Sequence, residues 1–276
     1  MVIVQLTNGF GNNLFQYIAA RLLAEFHGQN VRAVPPGDNY YATPPLKKNG
    51  VDFNPVKRFE NALRVGDDNY KTFFDSKYKG SNFFVSGYFE DYTYFKEKID
   101  VIKSWFPKVE KRKDSDLVIH FRAGDRLFYK NEFYTKPSVE SYLKAIEEFD
   151  FDNLHIVTDM PEWKHVTEDS LSKMSFHKHV PESERVSLKE SVEYFNSVVD
   201  GLSKYEPKIY KGDVGEDFNF IRTFKNILFQ HGTLGWWAAV LSEAEAVGVY
   251  GPWREWKGQS NKNLSKIGLQ GWFQWE

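Results

Sequence analysis

The sequence predicts an α/β protein with mostly parallel sheets, divided into two domains. Three observations predict it. The chain opens as strand, tight turn, helix and strand. A polar, charged stretch with a proline then interrupts it near the middle. Beyond that stretch the alternation of strands and helices begins again.

Val2 to Leu6 is a short β-rich run that ends in a Gly/Asn turn, and Leu14, Phe15, Ile18, Leu22 and Phe26 follow at helical spacing. Val31 to Val34 reads as the second strand. The stretch from Pro35 to Asn69 is rich in Pro, Gly and Asn, which predicts mostly irregular structure. Asn82 to Tyr88 reads as a strand and Tyr94 to Phe106 as a helix. Pro107 to Asp114 is the linker, which places the domains at residues 1–110 and 111–276. In the second half, strands are predicted at Leu117 to Phe121, Leu154 to Thr158, Lys208 to Tyr210, Ile227 to Phe229 and, last, Ala246 to Tyr250. Helices are predicted at Val139 to Phe149, Ser187 to Leu202, Phe218 to Phe224 and Trp236 to Leu241. There is no internal repeat and no low-complexity segment.

Bulk properties narrow the function. The 276 residues carry a formal net charge of −2, so the basic excess of a nucleic-acid binder is missing. Cysteine is absent, which excludes disulfides, thiolate metal sites and cysteine nucleophiles. The N-terminus lacks the apolar region of a signal peptide, and the longest uncharged run, between Lys225 and Glu243, is too short and polar for a membrane span. A cytoplasmic protein is expected. Aromatic residues make up 17%, which suits a large aromatic core or flat surfaces for sugar rings and bases.

Parallel sheets hold ligands beyond the carboxyl ends of their strands, so the chemistry is expected in the turns there. The first is Asn8-Gly9-Phe10-Gly11-Asn12-Asn13, where glycines allow close approach and the following helix offers free N–H groups. It lacks the third glycine of a dinucleotide fingerprint and the ending of a P-loop. The second is His120-Phe121-Arg122-Ala123-Gly124-Asp125. Its guanidinium matches phosphate oxygens through paired hydrogen bonds, and Asp125 can fix it in place or simply close the turn with it. His120 is either a ligand or an interior histidine. The third is Thr158-Asp159-Met160-Pro161-Glu162-Trp163, where Asp159 by position caps a helix begun by Pro161. The fourth runs from Phe229 through Gln230, His231 and Gly232 to Thr233, Leu234, Gly235, Trp236 and Trp237. Thr233 is placed to cap the helix and meet a phosphate, and at least one tryptophan is expected in the core. Asp114-Ser115-Asp116 and Asp150-Phe151-Asp152 have the Asp-x-Asp form of metal-dependent transferases. Both precede strands and are read as solvated turns. The histidines show no metal-ligand spacing, so no metal site is assigned.

These segments resemble, in order, the motifs of the α-1,2-fucosyltransferase family (glycosyltransferase family 11). Asn8 to Tyr17 resembles its Gly-Leu-Gly-Asn-Gln-(Met/Leu)-Phe-Gln-Tyr opening, and His120 to Asp125 its His-x-Arg-Arg-Gly-Asp motif. Thr158 to Trp163 resembles its Ser-Asp-Asp-Pro-Glu-Trp segment. Glu216-Asp217 and Leu228 to Trp237 resemble its Asp-containing helix and Asn-Ser-Ser-Phe-Ser-Trp-Trp. The likeness covers roughly residues 1–27 and 117–253. Ala123 replaces the family's second arginine and Met160 its second aspartate, while His231 to Gly235 departs along the pocket wall.

The resemblance implies a GT-B-like fold: two Rossmann-like domains with parallel sheets and an interdomain cleft. It implies inverting, metal-independent transfer of L-fucose from GDP-L-fucose to a hydroxyl of a glycan acceptor, with no cofactor beyond the GDP-sugar donor. Arg122 would contact the diphosphate with Asp125 in support, and His120 belongs to the same motif. Gly9, Gly11, Asn12, Asp159, Asp217, Thr233 and Leu234 would lie on the donor. The acceptor's base stays open among Glu90, Asp91 and His120 by residue type. Two other readings are a noncatalytic carbohydrate-binding relative and a nucleotide-cofactor enzyme. The latter lacks the acidic residue that should close the second strand, which ends at Pro35-Pro36.

Overall fold

The computed structural model describes residues 1–53, 61–130, 136–230, 232–250 and 272–275. The chain forms two compact units. Within the described residues, the first is Met1–Lys108 with Gly212–Phe218, and the second is Val109–Lys211 with residues 219–250 and 272–275. His231 lies outside the described residues. Gly212–Phe218, and Asp217 with it, thus belongs to the first unit although the sequence reading placed it in the second half.

The first unit carries β1 (Val2–Gln5), α1 (Phe10–Phe26), β2 (Val31–Val34), α2 (Thr43–Lys48), β3 (Leu63–Val65), β4 (Phe83–Val85) and α3 (Ile99–Ser104). Its sheet has the order β2-β1-β4-β3, and every pairing is parallel. α1 forms where the apolar spacing predicts it and buries Leu14, Phe15, Ile18, Leu22 and Leu23. Two short elements lie inside the stretch read as irregular. α2 starts at Thr43 and carries Pro44 and Pro45 in its first turn, where proline is suited because it has no N–H to leave unpaired. β3 is only three residues long. β4 stops at Val85, three residues before the expected end. The cause is Asp67, whose carboxylate takes the amides of Tyr88 (2.8 Å) and Phe89 (2.6 Å) and turns the chain out of the ladder. The helix expected from Tyr94 is confined to α3. Asp91 accepts from the Thr93 amide and winds Tyr92–Tyr94 into a tighter 3-10 turn first.

The second unit carries β5 (Leu117–Phe121), α4 (Val139–Glu147), β6 (Leu154–Thr158), α5 (Glu168–Ser172), α6 (Ser175–His179), α7 (Leu188–Ser203) and β7 (Lys208–Tyr210). After α8 (Val214–Ile221) come β8 (Asn226–Phe229), α9 (Thr233–Val240), β9 (Ala246–Tyr250) and β10 (Trp272–Trp275). Its sheet has the order β10-β9-β8-β5-β6-β7, all parallel. Counted from β5, that is the Rossmann order 3-2-1-4-5-6, and the order reverses between β5 and β8. The expected α/β class with two parallel sheets is therefore the observed one. β10 extends the sheet beyond the strand expected to be last. α8 begins earlier than predicted because the Asp213 carboxylate accepts from the amides of Gly215 and Glu216.

The aromatic content goes chiefly into the cores. Phe121 contacts Tyr142, Trp163 and Phe195, and Trp236 and Trp237 are both fully buried. One acidic pair reads differently from the sequence: Asp116 is buried rather than solvated. It accepts from Asn153 Nδ2 (2.8 Å), Arg112 (3.0 Å) and His155 (2.7 Å), tying the amino ends of β5 and β6 together.

Candidate functional site

The carboxyl ends of β5, β6 and β8 collect the sequence's second, third and fourth turns at the place where the strand order reverses. Arg122 leaves β5 and is held by two carboxylates. Its Nη2 donates to Asp125 Oδ1 at 2.9 Å, and its Nη1 donates to Asp159 Oδ2. Asp159 also accepts from the Ala123 amide at 2.8 Å, so it clamps both the side chain and the backbone of the turn. Gly124 has φ +35, and a Cβ there would come within 2.5 Å of Asp159 Oδ2. Only glycine lets the two turns close on each other. The Arg122 side chain remains 34% exposed, and its carboxylate partners 30% and 21%.

Asp159 therefore does not cap a helix. No helix follows Pro161; the next begins at Glu168, capped by Thr167. The Arg122–Asp125 pair admits both sequence readings: it closes the turn, and it fixes the plane of the guanidinium. The Arg122 charge thus lies between two carboxylates.

α9 starts at Thr233, with Gly232, which has no side chain to offer, as its cap. Thr233 is thus the first helical residue rather than the cap, and Leu234 is the second. His231 lies outside the described residues. Helix α9 packs closely on the ends of β5 and β8. A Cβ at Gly235 would stand 2.8 Å from His120 Nδ1 and 3.0 Å from the Phe229 ring. His120 is 7% exposed, and its Nδ1 has no hydrogen-bond partner among the described residues. Burial, and secondarily the Arg122 charge, push its pKa down to about 3, so the ring is neutral at ordinary pH.

In the first unit, Gly9 is the cap of α1, with φ −86, and Gly11 and Asn12 are already helical. The left-handed position of this turn is Asn8 (φ 62), not a glycine. The turn is braced by side chains the sequence reading assigned no role. Gln16 accepts from the Thr7 amide (3.0 Å) and donates to the Gly87 carbonyl (2.9 Å), and Asn13 donates to the Thr7 carbonyl (2.7 Å). Both are buried, and uncharged polar residues on the inner face of an amphipathic helix were the available signal. Asn12 Nδ2 donates to Glu90 Oε1 at 2.9 Å. Asp217 accepts from the Gly212 amide at 2.9 Å and so shapes the start of α8. Among the described residues no group of three acidic or histidine side chains is placed to hold a metal ion. No described helix is long and apolar enough to cross a membrane.

No family model matches the chain, and no curated protein matches it. Among solved structures it is similar to the iron-containing dodecameric glycosyltransferase TibC from enterotoxigenic E. coli H10407. The TM-score is 0.38 at 10% identity, over 96% of this chain and 65% of that one. The chain thus spans less than two thirds of that protein's length.

Proposed function

We propose that the chain is a glycosyltransferase whose donor is a nucleotide-diphosphate sugar. GDP-L-fucose is the donor that the four-motif resemblance favours, with inverting, metal-independent transfer to a sugar hydroxyl in α-1,2 linkage. The observation that carries the reading is Arg122, held in plane by Asp125 and Asp159 at the strand-order reversal beside the amino end of α9. That crevice is where open parallel sheets bind nucleotides.

Displacement at the anomeric carbon places growing negative charge on the departing phosphate oxygen. A guanidinium whose orientation is set beforehand, together with first-turn amides, stabilises that charge without reorganising during the reaction. The two carboxylates hold Arg122 ready. Asn12 and Gly9, at the start of α1, are proposed to lie on the donor as well.

A thermal-shift screen against GDP, UDP, ADP and CMP tests the donor class. The preferred nucleotide at 100 times its Kd adds about 2.7 kcal/mol of stability, and GDP is expected to be that nucleotide. Turnover of GDP-L-fucose that persists in EDTA supports the metal-free mechanism. Activity lost in EDTA and restored by Mg²⁺ or Mn²⁺ refutes it. Binding of nucleotide sugar without any release of GDP would favour a noncatalytic sugar-binding protein instead.

A further inference from the structure

Among the described residues, Asn8, Asn61, Phe89 and Glu206 combine a side chain with a positive φ. Two of them, Asn8 (φ 62) and Phe89 (φ 55), lie a few residues past the carboxyl ends of β1 and β4, which are paired neighbours. Parallel sheets hold ligands at such an edge. Asparagine adopts this conformation readily, but a bulky side chain avoids it. Phe89 is kept there by Asp67, whose carboxylate takes the amides of Tyr88 and Phe89, and by complete burial of its own ring. Backbone strain of this kind persists only where its surroundings enforce it, and it concentrates at ligand-binding sites.

The strained turn carries Tyr88, and Tyr88 meets Asn8. Asn8 Nδ2 donates to the Tyr88 hydroxyl at 2.8 Å. The Asn8 carbonyl accepts from the Tyr40 hydroxyl, which also reaches Asn13 Oδ1 at 2.8 Å. Burial raises the Tyr40 pKa, so the phenol keeps the proton it donates. Tyr40 in turn supports Tyr41, with ring centroids 5.0 Å apart at 69°. A Cβ at Gly9 would lie 3.5 Å from the Tyr41 hydroxyl, so that hydroxyl stands over the residue next to Asn8. Tyr41 is nevertheless 60% exposed, more than any other large apolar side chain among the described residues, and Asn8 is exposed as well. The fold thus anchors an aromatic ring and an amide beside each other and leaves both in water.

The geometry points to a binding site for one neutral sugar ring on the first unit, in which Tyr41 stacks on the C–H face of the ring and Asn8, oriented by Tyr88, accepts from one of its hydroxyls. A phenol ring offers a flat apolar surface, and an amide accepts where a sugar hydroxyl donates, which matches the mixed C–H and O–H faces of a sugar. The Asp67 carboxylate is fixed at the same edge through the Tyr88 amide. Its charge disfavours a phosphate and leaves a neutral ligand as the better fit. Every residue of the site belongs to the first unit, so the site is complete there. Under the glycosyltransferase reading that sugar belongs to the acceptor, but the site itself does not depend on that reading.

The test uses the full chain without nucleotide. The probes are the methyl glycosides of galactose, glucose, mannose and N-acetylglucosamine at millimolar concentration, followed by saturation-transfer difference NMR and titration. At least one glycoside should bind, with transfer strongest to the C–H groups of one ring face. Tyr41→Ala should weaken that binding about tenfold through loss of the stacking surface, while Tyr41→Phe stays within about twofold. Asn8→Gly removes the amide yet suits the left-handed backbone, so it should keep its Tm and lose about threefold to tenfold in affinity. Saturating GDP should leave the affinity for the glycoside unchanged. Absence of binding by all four glycosides overturns the site. So does binding that survives both Tyr41→Ala and Asn8→Gly, or binding that GDP displaces, since the sugar then occupies the donor's pocket. Transfer is read separately. GDP release from GDP-L-fucose by a chain that binds no glycoside overturns the sugar site and keeps the transferase reading; glycoside binding without GDP release does the reverse.

Discussion

Replacing Arg122 separates the two things its carboxylate partners can mean. In Arg122→Ala the structural loss is bounded. Its side chain and those of Asp125 and Asp159 are 34%, 30% and 21% exposed, so solvent screens both pairs. Such pairs are worth about 0.2–1 kcal/mol each, and the two together at most about 2 kcal/mol. Asp159 keeps its bond to the Ala123 amide, so the turn itself persists. At about 2–4 °C per kcal/mol for a domain of this size, Tm should fall by at most about 4–8 °C. Loss of a preorganised donor to the leaving phosphate, by contrast, costs about 10²–10³ in kcat, roughly 3–4 kcal/mol. Arg122→Lys keeps the charge but not the planar fork, since a single ammonium cannot span Asp125 and Asp159 as the guanidinium does. It should hold its Tm and still lose much of the rate. The assay is GDP release alongside a thermal melt, with Asp125→Asn as the comparison. A stable Arg122→Ala protein with near-wild-type turnover would refute the diphosphate assignment. A collapse of Tm with normal turnover by the surviving folded protein would make the arginine a structural brace.

Two further outcomes follow from the same crevice. His120 has a folded-state pKa pushed from 6.5 down to about 3, so below pH 6.5 the unfolded chain takes a proton that the folded chain refuses. Stability should therefore fall as pH drops from 6.5 towards 3, by about 1.6 kcal/mol between pH 6.5 and 5 from this group alone; urea midpoints at both pH values measure it, and His120→Leu should flatten that part of the slope. Gly235→Ala forces a methyl to within 2.8 Å of His120 Nδ1 and 3.0 Å of the Phe229 ring, which should cost about 1–3 kcal/mol through overpacking. A gain in stability instead, from alanine's helix propensity of about 1 kcal/mol over glycine, would show that α9 packs less tightly here.

Much of the fold was readable along the chain because short-range patterns set it. Helical apolar spacing placed α1 and α7, and short β-branched runs placed β1, β2, β5, β6 and β9. The errors fell where an aspartate side chain redirected the backbone. Asp67, from more than twenty residues away, cut β4 short. Asp91 and Asp213 acted locally, the one capping a tighter turn where a helix was expected to begin and the other starting α8 early. A polar side chain's claim on a backbone amide leaves no periodic trace.

The candidate site divides the same way. By itself, the sequence determined the residue types, their order and their place in turns after strands, including Arg122 with Asp125, because those depend on neighbours within a few positions. Only the tertiary structure decided what the side chains are for. It gave Asp159 to Arg122 and the Ala123 amide instead of to a helix, and made Thr233 a first helical residue rather than a cap. It buried His120 against Gly235 and drew Glu90 inward to Asn12. The physical reason is that hydrogen bonds and burial are settled by distance in space. Residues 122 and 159, or 12 and 90, come together only when parallel strands align their carboxyl ends.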